Sequence, residues 1–328
     1  MGNPRAVVTF APDPQMRDVI GASLDGVGDL EYLSDAGEGE RKEALASADA
    51  VLAWMLRAEL RPDELAHLSS PGLIQLLSAG VDRVPFDQIP DGVAVASNAG
   101  AYAEPMAEHV LALALALAKR LPQNHAAMAR GVFDQLTPTR SIRGSLVGIL
   151  GFGGIGQASA RLFHALGANV HAINRSGRTD AAVDQIGTME NLDALLVDAD
   201  ILVVSLPLTR TTHGLIGPRA LSLMKPDAIL INVARAAIID EAALYAHLER
   251  NPSFSAGIDA WWQEPRRQRA FATRQPLLSL PNLIGSPHNS AIVAGSLTEA
   301  AARAADNVAR HLRGERVRNL VDRSDYVA

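Results

Sequence analysis

Arg235, Glu264 and His288 each sit in a short motif downstream of one glycine-rich turn, and this succession of an arginine, a carboxylate and an imidazole reads as a hydride-transfer site. The turn is Val147-Gly148-Ile149-Leu150-Gly151-Phe152-Gly153-Gly154-Ile155-Gly156, an apolar strand running into glycines at the spacing G-x-G-x-x-G. Gly151 would permit the tight turn, Gly153 would let the backbone approach a pyrophosphate, and Gly156 would let the next helix pack on the strand. Gly154 and Ile155 open that helix, whose first N–H groups would face the anion. Gln157 to Leu166 has the helical periodicity this context requires. Glycine turns also occur where close packing alone matters, so the turn has to be read with the elements around it.

Those elements have the composition of a globular protein: 328 residues, 48% hydrophobic and 20% charged, enough for one large or two ordinary domains. A net charge of −6 leaves no basic surplus to neutralise nucleic-acid phosphates. The absence of cysteine excludes disulfides, thiolate metal sites and cysteine nucleophiles. No histidine pair or carboxylate cluster has ligand spacing, so no metal is expected. The longest aliphatic run, Val110 to Ala118, is about half a membrane span. It reads as a buried helix, and with no membrane partner the cytoplasm is the default location.

From residue 6 to 97, apolar runs (Ala6 to Phe10, Val51 to Met55, Leu73 to Leu77, Val93 to Ala96) alternate with charged helical stretches, which implies a parallel sheet. A long helix follows from about Ala103 to Leu121, and a second series begins at the glycine turn. It continues through Val170 to Ile173, Ile201 to Leu206, Ala228 to Val233, Ser255 to Ile258 and Leu283 to Gly285. The fold expected is α/β, with two doubly wound parallel-sheet domains and a cleft between them. Residues 1–98 with 290–328 form one, completed by a closing helix within Ala291 to Arg313; residues 99–289 form the dinucleotide-binding one.

An NAD-binding unit ends its second strand in Asp or Glu, about 20 residues past the first glycine, to bond the adenosine ribose. Here Val170 to Ile173 runs into Asn174-Arg175-Ser176-Gly177-Arg178-Thr179, and the first acid is Asp180. A carboxylate would repel a ribose 2'-phosphate, whereas Arg175 can pair with one and Ser176 and Thr179 can donate hydroxyls. NADP is therefore expected over NAD; the alternative is that Arg175 and Arg178 form a solvated turn.

Seven motifs in order give the chain its resemblance to the D-isomer-specific 2-hydroxyacid dehydrogenases. They are Ser78-Ala79-Gly80-Val81-Asp82; Asn98-Ala99-Gly100 leading to Ala107-Glu108-His109; the glycine turn; Leu206-Pro207-Leu208-Thr209-Arg210-Thr211-Thr212; Asn232-Val233-Ala234-Arg235; Asp259 to Pro265; and Ser286-Pro287-His288. The resemblance covers nearly the whole chain and implies a flavodoxin-like substrate domain beside a Rossmann domain.

It also implies roles. Arg235 would grip the carboxylate and carbonyl oxygen of a 2-oxo acid, a task suited to a planar guanidinium. His288 would donate the proton to the carbonyl as hydride arrives, and Glu264 would hold the ring and favour its protonated form. Asp259 would bind the nicotinamide carboxamide, the segments carrying Pro207, Thr212, Val233 and Ala234 would line the cofactor, and the backbone of Ala79, Gly80 and Val81 would hold the substrate carboxylate. Trp261 and Trp262 would wall the pocket or belong to the core. Arg57 is a weaker second anion site.

The family further implies a small 2-oxo or 2-hydroxy acid as partner, such as glyoxylate or hydroxypyruvate, and a homodimer to which Val110 to Ala118 contributes. Formate chemistry is disfavoured because formate dehydrogenases carry glutamine where Glu264 stands. A phosphoglycerate or phosphonate dehydrogenase, or a cofactor-sensing corepressor without turnover, are the alternatives. Ala236 departs from the family's usual glycine, and Arg266-Arg267-Gln268-Arg269 extends the loop after Pro265 with a basic run.

Overall fold

Buried runs of Ala, Val, Ile and Leu form most of the strands, and crossovers return each one parallel to its neighbour. The computed structural model describes residues 3–68, 72–265 and 270–326, so the basic run 266–269 lies outside the described residues. Two compact units share the chain, one from residues 1–102 with 293–328 and the other from 103–292. Their breaks fall a few residues beyond the positions read from the sequence.

In the first unit β1 (Arg5–Val8), β2 (Asp29–Tyr32), β3 (Ala50–Ala53), β4 (Leu73–Leu76) and β5 (Ala94–Ala96) pair in the order β2-β1-β3-β4-β5, all parallel. This is the flavodoxin-like doubly wound order. After β1 the Asp13 side chain accepts from Met16 N, with Pro14 in the first helical position, and starts the helix Pro14–Leu24. Met16, Ile20 and Leu24 turn its apolar stripe inward. Against it lies the helix Ser296–Leu312, where buried Ala300, Ala301, Ala304 and Ala305 allow close approach. Asn307 Nδ2 donates to Gln75 Oε1 at 2.6 Å, and Arg323 donates to the carbonyls of Ile89, Pro90 and Val93.

Side chains of this unit occupy its own strand ends. Glu59, in the short helix Leu56–Glu59, accepts from the Thr9 hydroxyl at 2.6 Å, Trp54 N at 3.0 Å and Met55 N at 2.5 Å. Past β4 the Leu77 carbonyl accepts from Asn98 Nδ2 at 3.1 Å and Tyr102 OH at 2.9 Å. Burial pushes the Tyr102 hydroxyl up to about 12.

The second unit holds β6 (Leu146–Leu150), β7 (Asn169–Ile173), β8 (Gln185–Gly187), β9 (Ile201–Val204), β10 (Ile229–Asn232), β11 (Ser255–Ile258) and β12 (Leu283–Gly285), in the parallel order β12-β11-β10-β9-β6-β7-β8. The direction of winding reverses between β6 and β9, which is where ligands bind in such sheets. The helix Ala103–Ala118 packs on the helix Gly154–Ala165 and beneath β10 and β11. Its Val110, Leu113, Ala114 and Leu117 are buried within the unit, while Leu111, Ala112, Leu115 and Ala116 are not.

The structure corrects further details. The long helix ends at Ala118, and a second one, Leu121–Ala129, starts after Arg120, whose φ of 52° breaks the run ahead of Pro122. β3 stops at Ala53, which leaves Arg57 on the following helix turn, exposed and 4.0 Å from Asp87. The closing helix begins only at Ser296.

Candidate active site

One row of paired residues crosses the whole second sheet: Gly187, Ile173, Leu150, Val204, Asn232, Ile258 and Gly285. The next residue on six of these strands begins a candidate loop, namely Asn174, Gly151, Ser205, Val233, Asp259 and Ser286. Motifs far apart in sequence are thus aligned along one edge of one sheet.

At β6 the chain turns through Gly151 with φ of +96°. A Cβ there would meet the Ser205 backbone at 2.7 Å, and one on Gly156 would overlap the Gly151 carbonyl oxygen, so both positions demand glycine. Gly153 differs: a Cβ there would meet nothing within 4 Å. It is also the N-cap of the helix Gly154–Ala165 and supplies no side-chain bond to the first turn, where Ile155 follows. Amides at an uncapped helix start beside open space suit a pyrophosphate. Ser205 braces the turn, its hydroxyl donating to the Gly151 carbonyl at 2.7 Å.

At the end of β7, Asn174 takes the place of a ribose-binding acid. Its Oδ1 accepts from Gly177 N at 2.7 Å and Ser176 N at 3.1 Å, and its Nδ2 donates to the Arg178 carbonyl at 2.8 Å. The asparagine therefore shapes the loop that presents Arg175 and Ser176, both exposed. After β9, Thr212 Oγ1 donates to the Pro207 carbonyl at 2.7 Å and accepts from Thr209 N at 2.8 Å, closing that loop on itself.

Beyond β10, Val233 and Ala234 are buried, and Asn232 fixes the turn by accepting from Ala234 N at 3.0 Å and donating to the Arg235 carbonyl at 3.0 Å. Arg235 is half-buried, with Nη1 donating to the Ala234 carbonyl at 2.9 Å. Glu264 Oε1 lies 2.5 Å from His288 Nδ1, with side chains 22% and 34% exposed. That bond leaves Nε2 as the ring nitrogen able to exchange a proton. Trp261 N also donates to Glu264 Oε1, at 3.3 Å. His288 has φ of 54°, a left-handed conformation that costs a non-glycine residue roughly 1–2 kcal/mol.

Asp259 has no exposed surface. Its Oδ1 accepts from Ser286 Oγ at 2.6 Å and Asn289 N at 3.1 Å, and its Oδ2 accepts from Ser290 N at 3.1 Å. Burial pushes its carboxyl upward, but the bonds from Ser286 and Ser290 outweigh that and hold it below the usual carboxylate range. The tryptophan indoles are committed within the unit: Trp261 Nε1 donates to the Ser286 carbonyl at 2.7 Å and Trp262 Nε1 to the Ile239 carbonyl at 2.8 Å.

In the first unit Ala79 and Gly80 are half-buried and Val81 is buried, in a turn where Ser78 Oγ donates to the Gly80 carbonyl at 2.9 Å. Ser205, Ser286 and the partner of Ser286, His109, escaped the sequence reading as functional positions. The two serines had a usable signal, a small hydroxyl directly after an apolar strand. Among the described residues no group of His, Asp and Glu could hold a metal ion, and no helix is long and apolar enough to cross a membrane.

Residues 111–290 match the family described as D-isomer specific 2-hydroxyacid dehydrogenase, NAD binding domain. The chain belongs to this family of NAD(P)-dependent oxidoreductases. It is 33% identical to glyoxylate/hydroxypyruvate reductase B of Pectobacterium carotovorum, over 85% of this chain and 87% of that one. It is 29% identical to D-3-phosphoglycerate dehydrogenase of Methanocaldococcus jannaschii over 96% of this chain, but spans only 59% of that relative's length. Among solved structures it resembles a D-isomer specific 2-hydroxyacid dehydrogenase of Xanthobacter autotrophicus Py2 in complex with NADPH and MES, with a TM-score of 0.78, 27% identity and coverage of 99% and 100% of the two chains.

Proposed function

We propose that the protein is an NADPH-dependent reductase of a small 2-oxo acid of the glyoxylate or hydroxypyruvate type. The observation that carries this reading is the Glu264–His288 pair, in the same unit as the open glycine turn. When bound, the nicotinamide supplies the hydride. Arg235 engages the carboxylate and carbonyl oxygen of the acid, and His288 Nε2 delivers a proton to that oxygen. Hydride to carbon and proton to oxygen together yield the 2-hydroxy acid. Glu264 on Nδ1 fixes the orientation of the ring and leaves Nε2 for the proton transfer. The backbone of Ala79, Gly80 and Val81 is assigned to the substrate carboxylate by the same resemblance.

Gly151, Gly153, Gly154, Ile155 and Gly156 would cradle the pyrophosphate, and the loops of Pro207, Thr212, Val233 and Ala234 would line the cofactor. By the same resemblance Asp259 would bind the nicotinamide carboxamide, with its carboxylate held in place by Ser286 Oγ, Asn289 N and Ser290 N. Preference for NADPH rests on Asn174 in place of an acid and on exposed Arg175 and Ser176. The relative from Xanthobacter autotrophicus Py2 carries NADPH. A homodimer is also proposed. The surface that favours it is Leu121, Met128, Val132, Phe133 and Leu136, the last two 72% and 91% exposed.

Oxidation of NADPH and NADH against glyoxylate, hydroxypyruvate, pyruvate and phenylpyruvate, with 3-phosphoglycerate in the reverse direction, tests the reading. Turnover that favours NADPH and falls ~100-fold or more in His288→Ala is expected. Near-normal turnover in that variant overturns the proton-donor role, equal use of both cofactors overturns the Arg175 assignment, and activity on 3-phosphoglycerate alone moves the substrate to that acid.

A further inference from the structure

We infer that His109 is a positioning residue for His288, acting through Ser286 and Asp259; the inference rests on the proton-donor role proposed for His288. His109 Nε2 lies 2.8 Å from Ser286 Oγ, and Ser286 Oγ lies 2.6 Å from Asp259 Oδ1. The direction of this chain follows from donor counting. Asp259 is fully buried and held ionised by its bonds, so it only accepts. Ser286 has one hydroxyl proton and donates it there. Its oxygen must therefore accept from His109, which places a proton on His109 Nε2.

The same carboxylate also takes Asn289 N and Ser290 N, the two amides directly after His288. One buried group therefore fastens the turn Ser286–Ser290 on both sides of a residue held at φ of 54°. An imidazole in the left-handed region persists when its surroundings over-determine it, and Asp259 supplies that determination. His109 lies 3.8 Å from Asp259 Oδ1, and by donating to Ser286 it fixes the rotamer that keeps the hydroxyl on the carboxylate. Its side chain projects from the helix Ala103–Ala118, so the proton donor's turn is registered against a core helix as well as the sheet.

The test compares His109→Leu, which removes the donor, with His109→Gln, which keeps an N–H at similar reach, alongside Ser286→Ala and the double variant His109→Leu/Ser286→Ala. Hydrogen exchange at the Asn289 and Ser290 amides is read in the cofactor-free protein. Exchange there should quicken ~10-fold or more in His109→Leu, return towards wild type in His109→Gln, and be no faster in the double variant than in Ser286→Ala. Exchange in β6 and β9 should not change. Where turnover is measurable, kcat should fall ~10-fold in His109→Leu with KM for the cofactor within about 2-fold. Unaltered exchange at Asn289 and Ser290 in His109→Leu overturns the inference, as does a folded His109→Gln that behaves like His109→Leu. Expected exchange in a protein without 2-oxo acid turnover leaves the positioning intact and overturns only the functional reading.

Discussion

The two units wind their sheets on the same principle yet finish the corresponding strand ends in opposite ways. After β1 the first helix is capped by the Asp13 carboxylate; after β6 its counterpart is capped by Gly153, which brings no side chain. At the reversal of winding between β1 and β3, Glu59 accepts from Thr9, Trp54 and Met55, whereas between β6 and β9 the Ser205 hydroxyl braces a glycine turn that faces open space. An anion belongs at a doubly wound switch point because amides converge there. The first unit provides that anion from its own sequence. The second brings no side-chain cap to that place.

The sharpest way to break this comparison is to remove the built-in anion. Glu59→Ala should destabilise the first unit by ~2–3 kcal/mol, since it strips an acceptor from two amides and a hydroxyl, and should leave cofactor affinity within about 2-fold. Urea unfolding together with fluorescence titration of NADPH reads both. The mirror experiment is Gly153→Ala. Among the described residues no atom beyond the adjoining ones lies within 4 Å of the added methyl, so stability should change by less than ~1 kcal/mol, while NADPH affinity should fall ~10-fold or more if the methyl enters space a phosphate needs. A loss of stability equal to the loss of binding would erase the distinction between the two switch points.

A smaller effect sharpens the same contrast at alkaline pH. Tyr102 closes the end of β4, and its hydroxyl is raised from an ordinary value of 10.0 to about 12 by burial. A raised tyrosine favours the neutral form in the folded state. Its contribution is therefore complete below pH 10 and is lost as pH climbs towards 12. Denaturation between these limits should show the first unit losing on the order of 1 kcal/mol, and Tyr102→Phe should remove that slope.

Much of this arrangement was legible in the sequence, and the failures have a common cause. Ten strands announce themselves as apolar runs, eight of them flanked by neighbours on both sides and two, β5 and β12, at sheet edges. β2 (Asp29–Tyr32) and β8 (Gln185–Gly187) do not; they are sheet edges, half-exposed, and carry no apolar run. Arg235 and Asp259 stood out as candidates because they follow closely on the buried strands β10 and β11, and His288 because it follows the edge strand β12 of the same sheet. The His109–Ser286 bond joins residues 177 positions apart, and no local pattern in either segment reports it. The same holds for Glu59, which reads as an ordinary acid at the end of a helix turn until its three donors are seen.

The terminal helix Ser296–Leu312 and Arg323 complete a unit whose other parts lie in the first 102 residues, while the second unit is continuous in between. On a ribosome this order matters. All residues of the cofactor-binding unit emerge before the first unit's closing helix, so β1 to β5 wait with the face meant for that helix uncovered. At ~5–20 residues per second the wait lasts several seconds or more. Of the two units the one begun earlier is finished later, and a chaperone that shields apolar surface would find its target on the helix Pro14–Leu24.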